Sequence, residues 1–424
     1  MATFAEQIPV GKRRRIQMWS IVANCFGALS EVMIDGSAFL ISYMALLGGD
    51  ESLTMLLAAA TGATALILQI PSGLIVERIG LKKGMYLSCV VGCIACLLMS
   101  MAVVAGDYAK YVVIALCFAY CFSRPIFSAS WFPIVDTFVA PNERGSYFGY
   151  LRFVYGIFAG VFFYSVGKMM GEKPPIGYLQ ALIATCAVLQ FARAIFVYFL
   201  DLPKLERKSG NGIWTSLRSA IACKKLMHFS IFMLLVAMIA FLAQPLAITY
   251  LKQTLGYGVS TVQTVATLGM IGTIFGNLVF GKLLAKLGSR RTILLILFGF
   301  VMVHGMLFFC GKGIPCLLEI ITGILLLNYT LVAWYFAYFS AEMYSVAEKD
   351  NIVMSLSLCN TIFSGGRMLS GLIPSMLLAM TFIPTSIALG DMEISKIQLI
   401  FAMTSCIALV WYCVPYVVKT VIPR

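Results

Sequence analysis

The stretch Gly73-Leu-Ile-Val-Glu77-Arg78-Ile-Gly80-Leu81-Lys82-Lys83 is a charged hairpin set between two apolar runs, each long enough to cross a bilayer. Its pattern returns once, at Gly281-Lys-Leu-Leu-Ala285-Lys286-Leu-Gly288-Ser289-Arg290-Arg291, with the glycines at the same spacing and again between two hydrophobic runs. Any tight hairpin between transmembrane helices favours glycine and lysine, so one copy says little. Two copies half a chain apart read as a duplicated membrane half. Gly73, near a helix end, suits close approach of a neighbouring backbone. Gly80 supplies the turn, and Arg78, Lys82 and Lys83 hold the hairpin in the cytoplasm.

Composition agrees with a bilayer. Of 424 residues 61% are hydrophobic and 12% charged, about half the charged share of a soluble domain. The formal charge of +13 raises the question of nucleic acid, which the placement of the charges answers. Basic residues are scattered over many short loops as topology determinants instead of being gathered into a groove. The thirteen cysteines include Cys89, Cys93 and Cys96 in one apolar segment and Cys117 and Cys121 in the next. Without acidic or histidine ligands beside them they read as small packing residues, and no metal or other cofactor is expected. Lys12-Arg13-Arg14-Arg15 and the apolar run after it imitate a signal peptide, but that run is too long and lacks a small-residue cleavage site, so it is the first span.

Runs of spanning length fall near 17–47, 52–75, 83–105, 109–139, 146–170 and 178–200, then 227–251, 257–285, 291–312, 314–343, 351–380 and 396–420. The expected fold is all-α: twelve transmembrane helices in two pseudo-symmetric six-helix bundles, residues 1–200 and 227–424, joined by a polar cytoplasmic loop over 201–226. With the N-terminus inside, twenty-one basic residues lie in cytoplasmic segments and six (Lys110, Lys168, Lys173, Lys252, Lys312 and Lys396) outside. Both termini are therefore expected in the cytoplasm, in a plasma membrane of the bacterial inner-membrane kind.

The hairpin resembles the loop signature of the major facilitator superfamily, Gly-x-x-x-Asp-Arg-x-Gly followed by a basic run, which lies between helices two and three of that family; the second copy resembles its relic between helices eight and nine. The resemblance implies a central cavity lined by helices one, four and ten among others, and a cytoplasmic gate. In this chain the gate would comprise Gly73, Glu77, Arg78, Gly80, Asp136, Arg144 and Glu342. The pattern is altered in places: Glu77 replaces the usual aspartate, Leu81 a basic residue, and Ala285 removes the acid of the second copy. Arg124-Pro-Ile-Phe-Ser128 weakly resembles the fourth-helix element of proton-coupled drug exporters, but the fifth-helix Gly-Pro element is missing around Gly149, Gly156 and Gly160.

Four arginines fall within spans, where an ionisable side chain is a functional candidate. Arg152 and Arg193 lie within about two turns of the cytoplasmic ends of their helices and are expected to snorkel to the interface as anchors. Arg124 and Arg367 lie near the midplane and need partners. Glu31 and Asp35 are four residues apart on one helix face, at a depth matching Arg124, so a pairing is natural. Two carboxylates against one arginine leave one acid short of a counter-charge, and burial beside a like charge favours a proton there. Glu31, Asp35 and Arg124 are thus the expected proton-coupling group, with Glu31 the carrier; an ion cluster that only pins helices one and four is the competing reading. Arg367 either reaches those carboxylates or faces an anionic group of the substrate. His304 is expected to be a packed histidine.

Trp131, Tyr329, Trp334 and Tyr338 sit on spans that line the cavity in the family and could stack on a sugar-like ring. Aromatic stripes in membrane helices are as often packing. With Arg124 and Arg367 they form the expected substrate-binding set. The sequence thus points to a secondary active transporter of a small polar solute, a sugar or organic acid, acting as a monomer and coupled to protons. The alternatives are a proton-coupled drug or metabolite exporter and, further off, a lipid-handling protein. An enzyme is not expected, since with only His228 and His304 no convergent nucleophile and base is visible.

Overall fold

The computed structural model describes residues 8–35, 37–139, 144–200, 213–348, 351–380, 386–389 and 392–417. The first span is built from Val10–Ile34 and Ala38–Leu46, bent by 43° where they meet. Spans two to six are Glu51–Ile79, Leu81–Ser100, Ala109–Phe138, Arg144–Met170 and Ile176–Tyr198. A short helix, Ile213–Ala222, occupies part of the connection expected to be an irregular loop. The seventh span combines Lys224–Ala240, Ala243–Thr249 and a π turn at Tyr250–Thr254.

Spans eight and nine run together as Val259–Phe309, 51 residues. A straight helix of that length would measure about 75 Å, more than twice the hydrocarbon thickness. Gly288, at φ +74° and ψ 167°, breaks it into two crossings. Its counterpart Gly80 sits at φ +93° in the first hairpin, so both copies of the repeat turn on a glycine in a conformation that side chains resist. Leu317–Val346, Ile352–Ala379 and Lys396–Val417 are spans ten to twelve, with a small hairpin, β1 (Ser386–Leu389) against β2 (Met392–Ser395), before the last.

An even number of crossings brings the start of the first span and the end of the last to one face, here the terminal face; the opposite face is distal. Helix starts carry ordinary caps: the Asp50 carboxylate accepts from Leu53 N, 2.8 Å, at span two, and Ser37 Oγ accepts from Leu40 N, 3.2 Å, where the first span restarts. The second bundle has one continuous core around Tyr335, Phe339, Phe300 and Phe401. The first has two, a distal one around Phe39, Tyr43, Tyr120 and Phe163 and a terminal one around Met85, Trp131, Ile134 and Phe138. The cysteines Cys89, Cys96, Cys117, Cys121 and Cys186 are buried and unbridged among these side chains.

The bundles meet along two antiparallel seams, span two against eleven and span five against eight. At the first seam Gly62 faces the backbone of Arg367 and Met368, and Gly371 faces that of Ala58 and Ala59, so closely that a Cβ on either glycine would overlap main chain. Small residues allow this approach. Beyond it Ser52 and Ser375 exchange hydrogen bonds, each hydroxyl donating to the other's carbonyl at 2.8 Å. Thr254 donates to Glu51 at 2.6 Å, and Gln253 to Thr54 at 2.8 Å. At the second seam Glu172 sits on the start of span eight, accepting from Thr261 Oγ1 at 2.8 Å and, through its carbonyl, from Val259 N at 2.8 Å.

All of these contacts lie toward the distal face. Nearer the terminal face, a Cβ built on Gly73 would meet nothing within 4 Å. The expectation that Gly73 mediates a close helix contact is therefore corrected: in this conformation that role belongs to Gly62 and Gly371, which main chain of the facing helix approaches, while no neighbour comes near Gly73. Toward the terminal face a cavity of about 710 Å³ lies between spans one and five of the first bundle, lined by Arg13, Gln17, Ile21, Tyr147, Tyr150 and Val154 among others.

Candidate functional site

Gly27, Glu31 and Asp35 recur at four-residue intervals and stack along one face of the first helix. Asp35 is the C-cap of that helix, its backbone N–H bonded to Glu31 O, so its carboxylate leaves the rod where the first span bends. Broken membrane helices of this kind place polar groups at depth only where protein or water meets them. Here the answering groups come from spans two and four. Arg124 Nη1 donates to Asp35 Oδ1 at 2.5 Å, Thr61 Oγ1 donates to the same oxygen at 2.6 Å, and Arg124 Nη2 reaches Glu31 Oε2 at 3.5 Å.

Glu31 has a second and shorter partner: Arg193 of span six donates from Nη1 to Glu31 Oε1 at 2.9 Å. The Arg193 side chain is only 5% exposed, which corrects the expectation that it snorkels to the interface. Depth along the chain measured its reach but not its direction, and inward it finds both charge and surface. Its guanidinium carbon stands 3.4 Å from the centre of the Phe127 ring, a cation–π contact. The space it fills is the notch left by Gly27, where a Cβ would collide with the guanidinium. The premise of an acid short of counter-charge falls with this. Glu31 bridges two arginines, and Asp35 is held by one arginine and one hydroxyl.

Glu31, Asp35 and Arg124 keep 29%, 30% and 22% side-chain exposure, and that exposure faces a cavity of about 270 Å³ lined also by Asn24, Ala28, Val32 and Tyr155. The cluster is thus reachable by a solute. Arg367 approaches from the other bundle: its guanidinium carbon lies 4.8 Å from the Phe241 ring, and its charge acts on Asp35 and Arg124 without a hydrogen bond to either. Arg152 also departs from its expected anchoring role, lying over Phe336 of span ten at 5.8 Å.

The family model of the Major Facilitator Superfamily matches residues 21–371 of the chain. The chain belongs to this superfamily. No curated protein matches it, but solved structures of the fold do. The nucleoside transporter NupG, in a point-mutant form, superposes with a TM-score of 0.74 at 14% identity, covering 96% of this chain and 99% of that one. A POT family transporter in complex with 5-aminolevulinic acid gives 0.71 at 12% identity, covering 96% and 95%. A bacterial homologue of the iron transporter ferroportin, in its inward-facing state, gives 0.60 at 13%, covering 94% and 98%. Such identities establish the fold, and membership makes the chain a multi-pass membrane transporter.

Against the superfamily plan, the aromatic candidates separate. Trp131 is 6% exposed and stacked on Phe127, and Tyr338 is 1% exposed, its hydroxyl 2.9 Å from Ser289 Oγ. Both are core residues, which corrects their expected place in the cavity. Trp334 donates from Nε1 to Gly276 O at 2.9 Å, and the Tyr329 ring fills the notch at Gly269; these two tie span ten to span eight. His304 is buried, its Nδ1 2.9 Å from Phe300 O. At the gate, the side chains of Glu77, Asp136 and Arg144 lie outside the described residues; Arg78 is exposed, and Glu342 accepts from Ser345 Oγ at 3.1 Å.

Proposed function

We propose that this member of the superfamily is a secondary active transporter of a small polar solute, of the sugar or organic-acid class, working by alternating access with both termini in the cytoplasm. The observation that carries the reading is the charge network of Glu31, Asp35, Arg124 and Arg193, three of whose members keep partial exposure beside a cavity of about 270 Å³ bounded by spans one, four and five. A solute entering from the terminal side meets charged groups at mid-depth and goes no further until the bundles rock. Two protein carboxylates converge on Arg124, so a proton on either one would free part of that guanidinium for the solute. This is the step at which proton coupling would act, through Glu31 or Asp35. The test is uptake of a panel of labelled sugars and organic acids by vesicles containing the purified protein, with and without a pH gradient. Absence of any accumulation or exchange would defeat the reading.

Glu77 belongs to the proposed terminal-face gate, with Gly73, Arg78, Gly80, Asp136, Arg144 and Glu342. Glu77→Gln is expected to slow exchange by about tenfold with little change in solute affinity, because a gate residue biases the conformational equilibrium and not the site. Affinity measured by ligand-induced thermal stabilisation checks this: a collapse of affinity with an unchanged exchange rate would remove Glu77 from the gate.

A further inference from the structure

The charges of the arginines within the spans do not balance. Glu31 and Asp35 answer Arg124 and Arg193, but the guanidinium groups of Arg152 and Arg367 make no hydrogen bond or ion pair among the described residues. Guanidinium groups at membrane depth are costly unless they serve a pathway or a ligand. The two come from opposite bundles, Arg152 from span five and Arg367 from span eleven. Both stand over rings of one aromatic wall. Arg152 covers Phe336 and Arg367 covers Phe241, while Phe363 touches both rings, with centroids 6.0 Å from Phe336 and 5.9 Å from Phe241. Phe336 is 37% exposed and Phe241 half-buried, while Phe363, 4% exposed, backs both rings from the core.

The placement of Arg367 is enforced by the fold. Gly62 packs directly against the backbone of residues 367 and 368, and the neighbouring Thr61 holds Asp35, so the seam delivers the second-bundle arginine to the edge of the first-bundle charge network. On the other side Tyr155, one turn from Arg152, lines the cavity that contains Glu31, Asp35 and Arg124.

We infer that these two arginines are a binding site for a small organic dianion, specifically a dicarboxylate, whose two ends engage Arg152 and Arg367 while its carbon chain runs past the Phe241 and Phe336 rings. This rests on the transporter reading and narrows its solute class. Two positive charges in excess of the network's carboxylates match a dianion, and because they stand on different rings and in different bundles they suit charges at two ends of a chain better than two charges on one phosphorus. Because each arginine belongs to a different bundle, the dianion is also a bridge: bound, it neutralises charge that would otherwise oppose approach of the bundles, and so favours closure around itself.

The test uses purified full-length protein, both in detergent and in vesicles preloaded with unlabelled solute. Succinate and glutarate are the probes; glycerol 3-phosphate, acetate and glucose are the comparisons. Succinate or glutarate is expected to raise the thermal unfolding midpoint and to exchange across the vesicle membrane. Arg152→Gln and Arg367→Gln are each expected to weaken dicarboxylate binding about tenfold or more. Arg367→Lys should recover part of it by keeping the charge without the fork. Stronger binding of glycerol 3-phosphate than of either dicarboxylate would overturn the assignment in favour of a phosphate site. Binding and exchange of glucose alone, unaffected by the glutamine variants, would overturn it while leaving the transporter reading intact. Dicarboxylate binding that depends on both arginines, with no exchange in vesicles, would uphold the site and defeat the transporter reading. No stabilisation by either dicarboxylate would overturn the inference.

Discussion

Gly62→Val is expected to slow exchange by about 5- to 150-fold in a protein whose two bundles remain folded. A Cβ at residue 62 would overlap the backbone nitrogen and Cα of Met368, and main chain within a helix cannot swing aside as the end of a side chain can. Relief requires spans two and eleven to move apart, which also separates Ser52 from Ser375 and Thr254 from Glu51. Overpacking of this kind costs about 1–3 kcal/mol. Because the clash exists only where the distal face is closed, the cost falls on one conformation and shifts the equilibrium toward the other by about 5- to 150-fold. Cross-linking of Ser52→Cys with Ser375→Cys reports the outcome: efficient in an otherwise unaltered chain, weak when Gly62→Val is added. Gly323→Val in span ten is the control, since a Cβ at that position would meet nothing within 4 Å. Unchanged cross-linking and exchange in Gly62→Val would mean that the seam does not close this tightly.

The topology was legible because its signals are long and repeated. Span length, the bias of basic residues and a glycine pair at fixed spacing are each averaged over many residues, and Gly80 and Gly288 occupy the turns their pattern implies. The proximity of Asp35 and Arg124 was legible from depth alone, since antiparallel helices place equal distances from one face side by side. Direction around the helix was not. Arg193 lies near a helix end by count and points inward by packing, and what admits it is Gly27, an absence of side chain that has no meaning until its neighbour is known. The break after Ile34 was hidden because hydropathy continues through it. Trp131 and Tyr338 looked like cavity residues because they share helices with the cavity, yet a helix of that plan shows only part of its surface to the cavity and the rest to its own bundle. The distal seam is made of serine, threonine and glycine, whose spacing in sequence is indistinguishable from ordinary helix packing.

Replacement of Glu31 by glutamine is expected to cost on the order of 3 kcal/mol of stability, and its repair by a second substitution separates structure from coupling. Arg193 is 5% exposed and its ion-pair partner is Glu31 at 2.9 Å. Without that carboxylate it becomes a buried, uncompensated cation, and breaking one side of a buried pair costs about 3–5 kcal/mol. The partial exposure of Glu31 and the Phe127 ring beneath Arg193 place the figure at the lower end. Removing both charges is different: Glu31→Gln with Arg193→Met exchanges the pair for neutral groups of similar volume, which is often neutral or stabilising. The double variant should therefore unfold near the wild-type temperature while the single variant unfolds well below it. Arg124 keeps Asp35 and Thr61 in both. If Glu31 carries the transported proton, the double variant retains counterflow exchange but no longer accumulates solute when a pH gradient is imposed. Retention of driven accumulation would assign Glu31 to the fold and leave Asp35 as the coupling acid, since it is the other carboxylate that both faces the cavity and competes for Arg124.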